Sequence, residues 1–132
     1  MTVSITLHQP RRLLVGAGTT GQVGGLVGDA QATLVIATPI TAGFIDRLQL
    51  RGKVEIFDAI PGEPDVATLE AALAVARKVK PNVVVGLGGG SVLDVAKLVA
   101  VLWDSEQTLA DVAGPNRVAG RNIQLVPIAT TA

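Results

Sequence analysis

The sequence predicts an α/β domain with a mostly parallel sheet and helices on both faces. Short apolar runs typical of buried strands alternate with helical patterns, and one run, residues 83–87, leads through glycines directly into an apolar helix. This alternation is typical of βαβ units, whose helices cover both faces of a parallel sheet. The length of 132 residues fits one domain with a substantial core.

The strands are predicted where short runs rich in Val, Ile and Leu are bounded by turn residues. They fall at residues 4–7, 12–15, 33–38, 53–58, 83–87 and 123–128. We expect the centre of the sheet to be parallel, because helical patterns separate the later runs.

The clearest helix is predicted at residues 66–79. Asp65 can cap its first turn, Leu69 and Leu73 lie on its apolar face, and Pro81 prevents its continuation. Shorter helices are predicted at 42–48 and 108–113. Residues 19–28 are also predicted to be helical, although each of their four glycines costs about 1 kcal/mol relative to alanine.

The composition excludes several classes of function. With 11 basic and 11 acidic residues the net charge is zero, so we expect no nucleic-acid or anionic membrane partner. The lack of cysteine excludes disulfides and thiolate zinc sites. No apolar run approaches the ~18 to 20 residues of a membrane span, and the N-terminus lacks the pattern of a signal peptide. We expect a soluble, cytoplasmic protein.

The strongest functional signal is the junction Gly88-Gly89-Gly90-Ser91 between the buried strand and the apolar helix. Free backbone N–H groups at a helix N-terminus bind phosphate, and glycines, which can adopt positive φ, let a pyrophosphate approach closely. Ser91 is expected at the N-cap. The glycines could instead serve only tight packing of strand and helix, but three in succession favour phosphate and therefore a bound nucleotide.

Asp94 and Lys97 are the only charged residues in the predicted helix 92–102, which is otherwise apolar and therefore expected to be buried. Three positions apart, they share one face and can form an ion pair worth about 0.2–0.5 kcal/mol. Their position within two turns of the glycine loop equally favours a role in ordering the loop or neutralising a ligand.

Three segments together resemble the iron-containing (group III) alcohol dehydrogenases. They are residues 10–18, PRRLLVGAG, the GGGS loop with Asp94 and Lys97, and residues 127–132, PIATTA. The segments span the chain in the family's order, and the block GGGS-x-x-D-x-x-K together with Thr-Thr-Ala is specific. The resemblance implies a Rossmann-like N-terminal domain that binds NAD or NADP. It also implies a C-terminal helical domain that holds a divalent metal, iron or zinc, on one aspartate and three histidines.

We expect residues 1–132 to be the NAD(P)-binding domain alone, because the chain stops at Ala132, inside the family's motif Thr-Thr-Ala-Gly-Thr-Gly-Ser. The resemblance implies a set of cofactor-binding residues: Thr38, Gly88, Gly89, Gly90, Ser91, Asp94, Thr130 and Thr131. Within this set, the loop residues would contact the pyrophosphate, and the last two threonines would lie near the diphosphate and the nicotinamide.

Some positions depart from the family pattern or carry a structural alternative. Thr38 stands where many NAD-preferring relatives have an aspartate that binds the ribose, so we expect NADP to be accepted. Glu63 stands near the place of a common asparagine, which leaves its contact with the cofactor open. Gly16 and Gly18 match the family's first turn after a strand, and there we favour a pure turn role.

The chain contains no evident catalytic residue or metal ligand. Its only histidine is His8 and it has no tyrosine, so a His-rich metal centre and a proton relay are both excluded. The complete enzyme is expected to transfer hydride between an alcohol or aldehyde and nicotinamide, and to form a homodimer through the strand at 4–7. Two alternatives stay open, a domain of a glycerol dehydrogenase or dehydroquinate synthase-like enzyme and a stand-alone nucleotide-binding module.

Overall fold

A computed structural model of the chain describes residues 10–130, so the predicted strand at 4–7, His8 and Thr131 lie outside the described residues. The strands of the sheet are Ala32–Ala37 (β1), Lys53–Phe57 (β2), Val83–Gly88 (β3) and Gln124–Ala129 (β4). They lie in the order β2-β1-β3-β4, and each neighbouring pair is parallel. The predicted α/β class with a parallel sheet is confirmed.

The helices agree in place with the predictions. They are Val23–Val27 (α1), Val66–Val79 (α2), Gly90–Leu102 (α3) and Leu109–Val112 (α4). Two further segments, Thr19–Gln22 and Thr41–Leu48, are 3₁₀ helices. The predicted helix at 19–28 is therefore a 3₁₀ turn followed by a short α-helix, and the one at 42–48 is 3₁₀ rather than α. No helix within residues 10–130 is long and apolar enough to cross a membrane.

Helix α2 begins where the sequence predicts it. The Asp65 carboxylate accepts a hydrogen bond from the backbone N–H of Thr68 at 2.9 Å, and this bond is the main cause that lowers the pKa of Asp65. Lys80 ends the helix in the left-handed conformation, with φ 52°, and Pro81 follows. The capping prediction is confirmed.

The two central strands of the sheet, β1 and β3, are buried on both faces. Leu34 and Ile36 of β1 pack against α2 and α3 in the larger core cluster. Val35 and Ala37, which alternate with them, pack against α1 and the 3₁₀ helix 41–48 in the second cluster. All four are fully buried, as a central strand covered on both faces requires.

Residues 12–15 do not form the predicted strand. They have no regular secondary structure, and Leu13 and Val15 are 76% and 84% exposed. A strand needs a neighbour to satisfy its backbone hydrogen bonds, and residues 10–130 place none beside this segment. The prediction was wrong because an apolar run alone does not supply that neighbour.

Candidate functional site

The sheet has one topological switch point, between β1 and β3. From β1 the chain passes to β2 on one side, and from β2 it crosses to β3 on the other side of β1. In open α/β sheets, ligands bind outside the carboxyl ends of the strands at such a point, because the connections diverge there and leave a crevice. Thr38 directly follows β1 and Gly89 directly follows β3, so both lie at this crevice.

The loop after β3 is very short. The strand ends at Gly88 and helix α3 begins at Gly90, so Gly89 alone lies between them, as the N-cap with φ −83° and ψ −171°. None of the three glycines has a positive φ. The positive φ that glycine permits is therefore not used here, because an extended residue suffices to join this strand to its helix.

The glycines of this segment divide into two kinds. A Cβ atom on Gly86 would lie 2.8 Å from the Cβ of Ala96, and one on Gly88 would lie 2.8 Å from a methyl group of Val92. These two glycines let α3 lie directly on β3. A Cβ on Gly90 would meet no atom within 4 Å. Packing therefore accounts for Gly86 and Gly88, whereas Gly90 borders open space.

Ser91 is not the N-cap, contrary to the prediction. The N-cap is Gly89, two residues earlier, and the Ser91 hydroxyl donates a hydrogen bond to the Gly62 carbonyl at 2.9 Å. Within the described residues no side chain caps α3. The first intrahelical bond is that from Leu93 N–H to Gly89 O, at 3.0 Å. The N–H groups that precede Leu93 in the first turn have no acceptor within the helix. They lie at the positive end of the helix dipole.

The end of β4 is tied to the same loop. The backbone N–H of Thr130 donates to the Gly88 carbonyl at 3.0 Å, and Ala129 pairs with Gly88 in the ladder. Thr130 is exposed. The structure thus places Thr130 beside the glycine loop, and its contact with a cofactor stays a prediction.

The loop after β1 is held by a pair of threonines, one of which the sequence analysis missed. Thr38 N–H donates to the Thr41 hydroxyl at 2.9 Å, and Thr41 N–H donates to the Thr38 hydroxyl at 3.1 Å. The Thr41 hydroxyl in turn donates to the carbonyl of Leu87 at 2.7 Å. Thr41 therefore connects the loop after β1 to β3, one residue before Gly88. The signal for it was the spacing Thr-x-x-Thr after a strand, which is typical of reciprocal capping.

Asp94 and Lys97 form the predicted ion pair, with a carboxylate oxygen 3.6 Å from Nζ. Both side chains are exposed, 73% and 57% respectively, so water screens the pair. Asp94 also lines, together with Ser91 and Glu63, an open groove of about 520 Å³ between the start of α2 and the face of α3. A ligand role for Asp94 remains a prediction.

The first turn of the described chain contains Gly16 and Gly18, with φ of 140° and 78°. Both angles lie in the range that favours glycine, and Thr19 closes the turn by donating its hydroxyl to the Gly16 carbonyl at 3.0 Å. The favoured turn role agrees with this geometry.

Residues 10–130 do not fit a divalent metal. Nowhere in that range do three side chains of the His, Cys, Asp or Glu type come together as possible ligands. A metal of this family therefore has no ligand set in the described part of the chain.

These features define a class, a Rossmann-like α/β domain with a glycine-rich loop at its switch point. Residues 10–132 match the family described as iron-containing alcohol dehydrogenase, and the chain belongs to that family. It matches the N-terminal portion of its relatives.

One curated relative agrees with this assignment, and two solved structures share the fold. The chain is 35% identical over 112 residues to long-chain-alcohol dehydrogenase 1 of Geobacillus thermodenitrificans, covering 77% of this chain and 28% of that one. Its fold matches the NADH-dependent butanol dehydrogenase A of Thermotoga maritima with a TM-score of 0.84 and 22% identity, over 98% of this chain and 35% of that one. It also matches a sulfoacetaldehyde reductase from Bifidobacterium kashiwanohense in complex with NAD+, with a TM-score of 0.71 and 24% identity, over 88% and 33%. The chain thus spans about a third of the length of these relatives.

Proposed function

We propose that this chain is the NAD(P)-binding domain of a metal-dependent alcohol dehydrogenase and that the cofactor pyrophosphate binds at the N-terminus of α3. The observation that carries the proposal is the uncapped first turn of α3, which opens at the β1/β3 switch point beside a glycine with free space around it. The family match and the NAD+ complex of the sulfoacetaldehyde reductase support it.

The described residues fit a dinucleotide. The N–H groups of Gly90 and Ser91 lie in the first turn of α3, where the helix dipole favours the negative pyrophosphate. Gly90 leaves room for close approach, and Thr130 lies beside the loop with an exposed side chain. When bound, the nicotinamide supplies the hydride chemistry. The role of this domain is to hold the cofactor and orient its ring.

The substrate of the complete enzyme is proposed to be a small alcohol or aldehyde. The relatives carry names that refer to long-chain alcohols, butanol and sulfoacetaldehyde, which share a carbon that can be an alcohol or an aldehyde. Residues 10–130 contain no group of three possible metal ligands and no His. We therefore propose that this chain has no dehydrogenase activity without the metal-binding part of the enzyme. We also propose that the complete enzyme is a cytoplasmic homodimer.

Both cofactors are proposed to bind. No carboxylate stands at Thr38 to repel the 2′-phosphate of NADP. NADP should therefore bind at most about tenfold more weakly than NAD, a difference of roughly 1.4 kcal/mol.

Calorimetric titration of NAD and NADP tests the proposal on the wild-type chain and on Gly89→Val and Gly90→Val. A Val side chain at either position occupies the space in front of the helix, so both variants should bind about tenfold more weakly or worse. Gly120→Val is the matched control, because Gly120 also borders open space but precedes β4, towards the opposite edge of the sheet.

Equal affinity in the wild type and both loop variants would remove the loop from the site. A wild-type chain with no affinity for either dinucleotide would overturn the proposed function itself.

A further inference from the structure

Thr41 connects the loop after β1 to strand β3 at the switch point. Its hydroxyl lies 2.9 Å from Thr38 N and 2.7 Å from Leu87 O, so it bridges the end of β1 and the end of β3. The side chain is partly buried. The bond to Leu87 joins residues that are 46 positions apart in the sequence.

The hydrogen bonds of the two threonine hydroxyls can be assigned by counting. A hydroxyl has one proton and two lone pairs. The proton of Thr41 belongs to Leu87 O, since a carbonyl oxygen only accepts and this distance is the shortest, 2.7 Å. The two hydroxyls lie 3.1 Å apart, so Thr38 must donate to Thr41. Both lone pairs of Thr41 are then used, by the Thr38 N–H and the Thr38 hydroxyl.

The same hydrogen bonds decide which groups of the Thr38 hydroxyl remain available to a ligand. Its proton is engaged by Thr41, and one of its two lone pairs accepts the Thr41 N–H at 3.1 Å. One lone pair remains free. Thr38 can therefore accept a hydrogen bond from a ribose hydroxyl, but it has no proton to donate to a 2′-phosphate unless the bond to Thr41 breaks.

We propose that Thr41 is a positioning residue for the dinucleotide, which fixes the loop after β1 against β3 and sets the donor and acceptor state of Thr38. This inference rests on the proposed function, because a dinucleotide at the switch point must contact the loop after β1 and the glycine loop together. Holding the two loops in one arrangement before binding reduces the entropy lost on binding.

The test compares Thr41→Val, which removes the hydroxyl and keeps the shape, with Thr41→Ser, which keeps the hydroxyl. NAD affinity should fall about three- to tenfold in Thr41→Val, because the loss of one such hydrogen bond changes an equilibrium constant by about that factor. In Thr41→Ser the affinity should stay near that of the wild type. Should Thr41→Val fail to fold, as judged by circular dichroism, Thr41→Ala removes the same hydroxyl without adding bulk.

Asn82→Ala is the matched control for general destabilisation. The Asn82 side chain accepts a hydrogen bond from Ala32 N–H at 3.1 Å, at the start of β1 and β3, and therefore at the opposite edge of the sheet. Asn82→Ala should lower the melting temperature and leave NAD affinity unchanged.

Each outcome decides between the two proposals. If the wild type binds NAD and the hydroxyl-free variant binds it equally well, the role of Thr41 is refuted while the proposed function stands. An equal loss of affinity in Asn82→Ala would also refute it, because stability alone would then explain the effect. If the wild type binds neither NAD nor NADP, the proposed function fails and the positioning role fails with it.

Discussion

Gly86 determines how closely helix α3 approaches strand β3, and replacing it with alanine should therefore destabilise the domain. Gly86 lies in the middle of β3, paired with Ile36 on one side and Pro127 on the other. The added Cβ would lie 2.8 Å from the Cβ of Ala96 and 3.2 Å from a methyl group of Leu93. The Leu93 side chain can rotate away, but the Cβ of Ala96 is fixed to the helix backbone.

The magnitude follows from this geometry. Carbon atoms of this kind are at optimal separation at about 3.5–4.0 Å, so α3 must move away from the sheet by roughly 1 Å. Overpacking of this extent costs about 1–3 kcal/mol. Against a total stability of about 5–15 kcal/mol, Gly86→Ala should fold and should melt roughly 4–12 °C below the wild type.

A double-mutant cycle identifies the cause of the loss. Ala96→Gly alone removes a buried methyl group and introduces glycine into a helix, at a combined cost of about 2 kcal/mol. In the double variant the clash at Ala96 is absent. Its loss of stability should therefore be about 1–2 kcal/mol smaller than the sum of the losses in the two single variants. Urea unfolding of the four proteins measures this coupling. A Gly86→Ala variant as stable as the wild type, or a cycle with zero coupling, would refute the close approach of α3 to β3.

Three further predictions concern cofactor choice, pH and association. Thr38→Asp should shift the ratio of NADP to NAD affinity towards NAD by about tenfold, and an unchanged ratio in calorimetry would place Thr38 away from the ribose. Because the hydrogen bond from Thr68 N–H lowers the pKa of Asp65 below its ordinary value of 3.8, the stabilisation by the carboxylate is complete above that value and is lost as the pH falls through the folded-state pKa. Asp65→Ala should therefore lower the melting temperature at pH 7 and lower it less at pH 3, and equal losses at both would contradict the charge-assisted cap. The chain should self-associate through exposed apolar residues such as Leu13. Light scattering of the chain with and without residues 1–9 separates this route from pairing through the N-terminal segment. A strictly monomeric chain would contradict the prediction.

The sequence predicted the four described strands and the long helices because their signals are local. Helix α2 has its cap at Asp65 and its stop at Pro81, and strand β1 is a run of apolar residues buried on both faces. The failure at residues 12–15 has the opposite cause, since a strand depends on a neighbour that no local pattern reveals. The short helices were located, but their 3₁₀ geometry depends on packing that the pattern does not contain.

The sequence predicts a candidate site at the β3–α3 junction, and the structure corrects part of its local geometry, while cofactor binding there stays a prediction. The glycine run lies between β3 and α3, as the sequence predicts, but the sequence alone does not separate Gly86 and Gly88, which admit α3, from Gly90, which borders open space. The sequence predicts Ser91 at the helix cap, with its hydroxyl bound to the first turn or to a phosphate oxygen, whereas the fold brings the Gly62 carbonyl, 29 residues earlier, within reach of that hydroxyl. Contacts between distant segments decide both points.

The central claim is that the cofactor pyrophosphate binds at the first turn of α3. The most direct measurement is a titration of the ¹⁵N-labelled chain with NAD+, followed through the backbone amide resonances. We expect saturable changes in the amide chemical shifts of Gly89, Gly90, Ser91 and Thr130. The amide of Asn82, at the opposite ends of the strands, should not shift. Saturable shifts confined to other parts of the chain, with the loop amides unmoved, would contradict it.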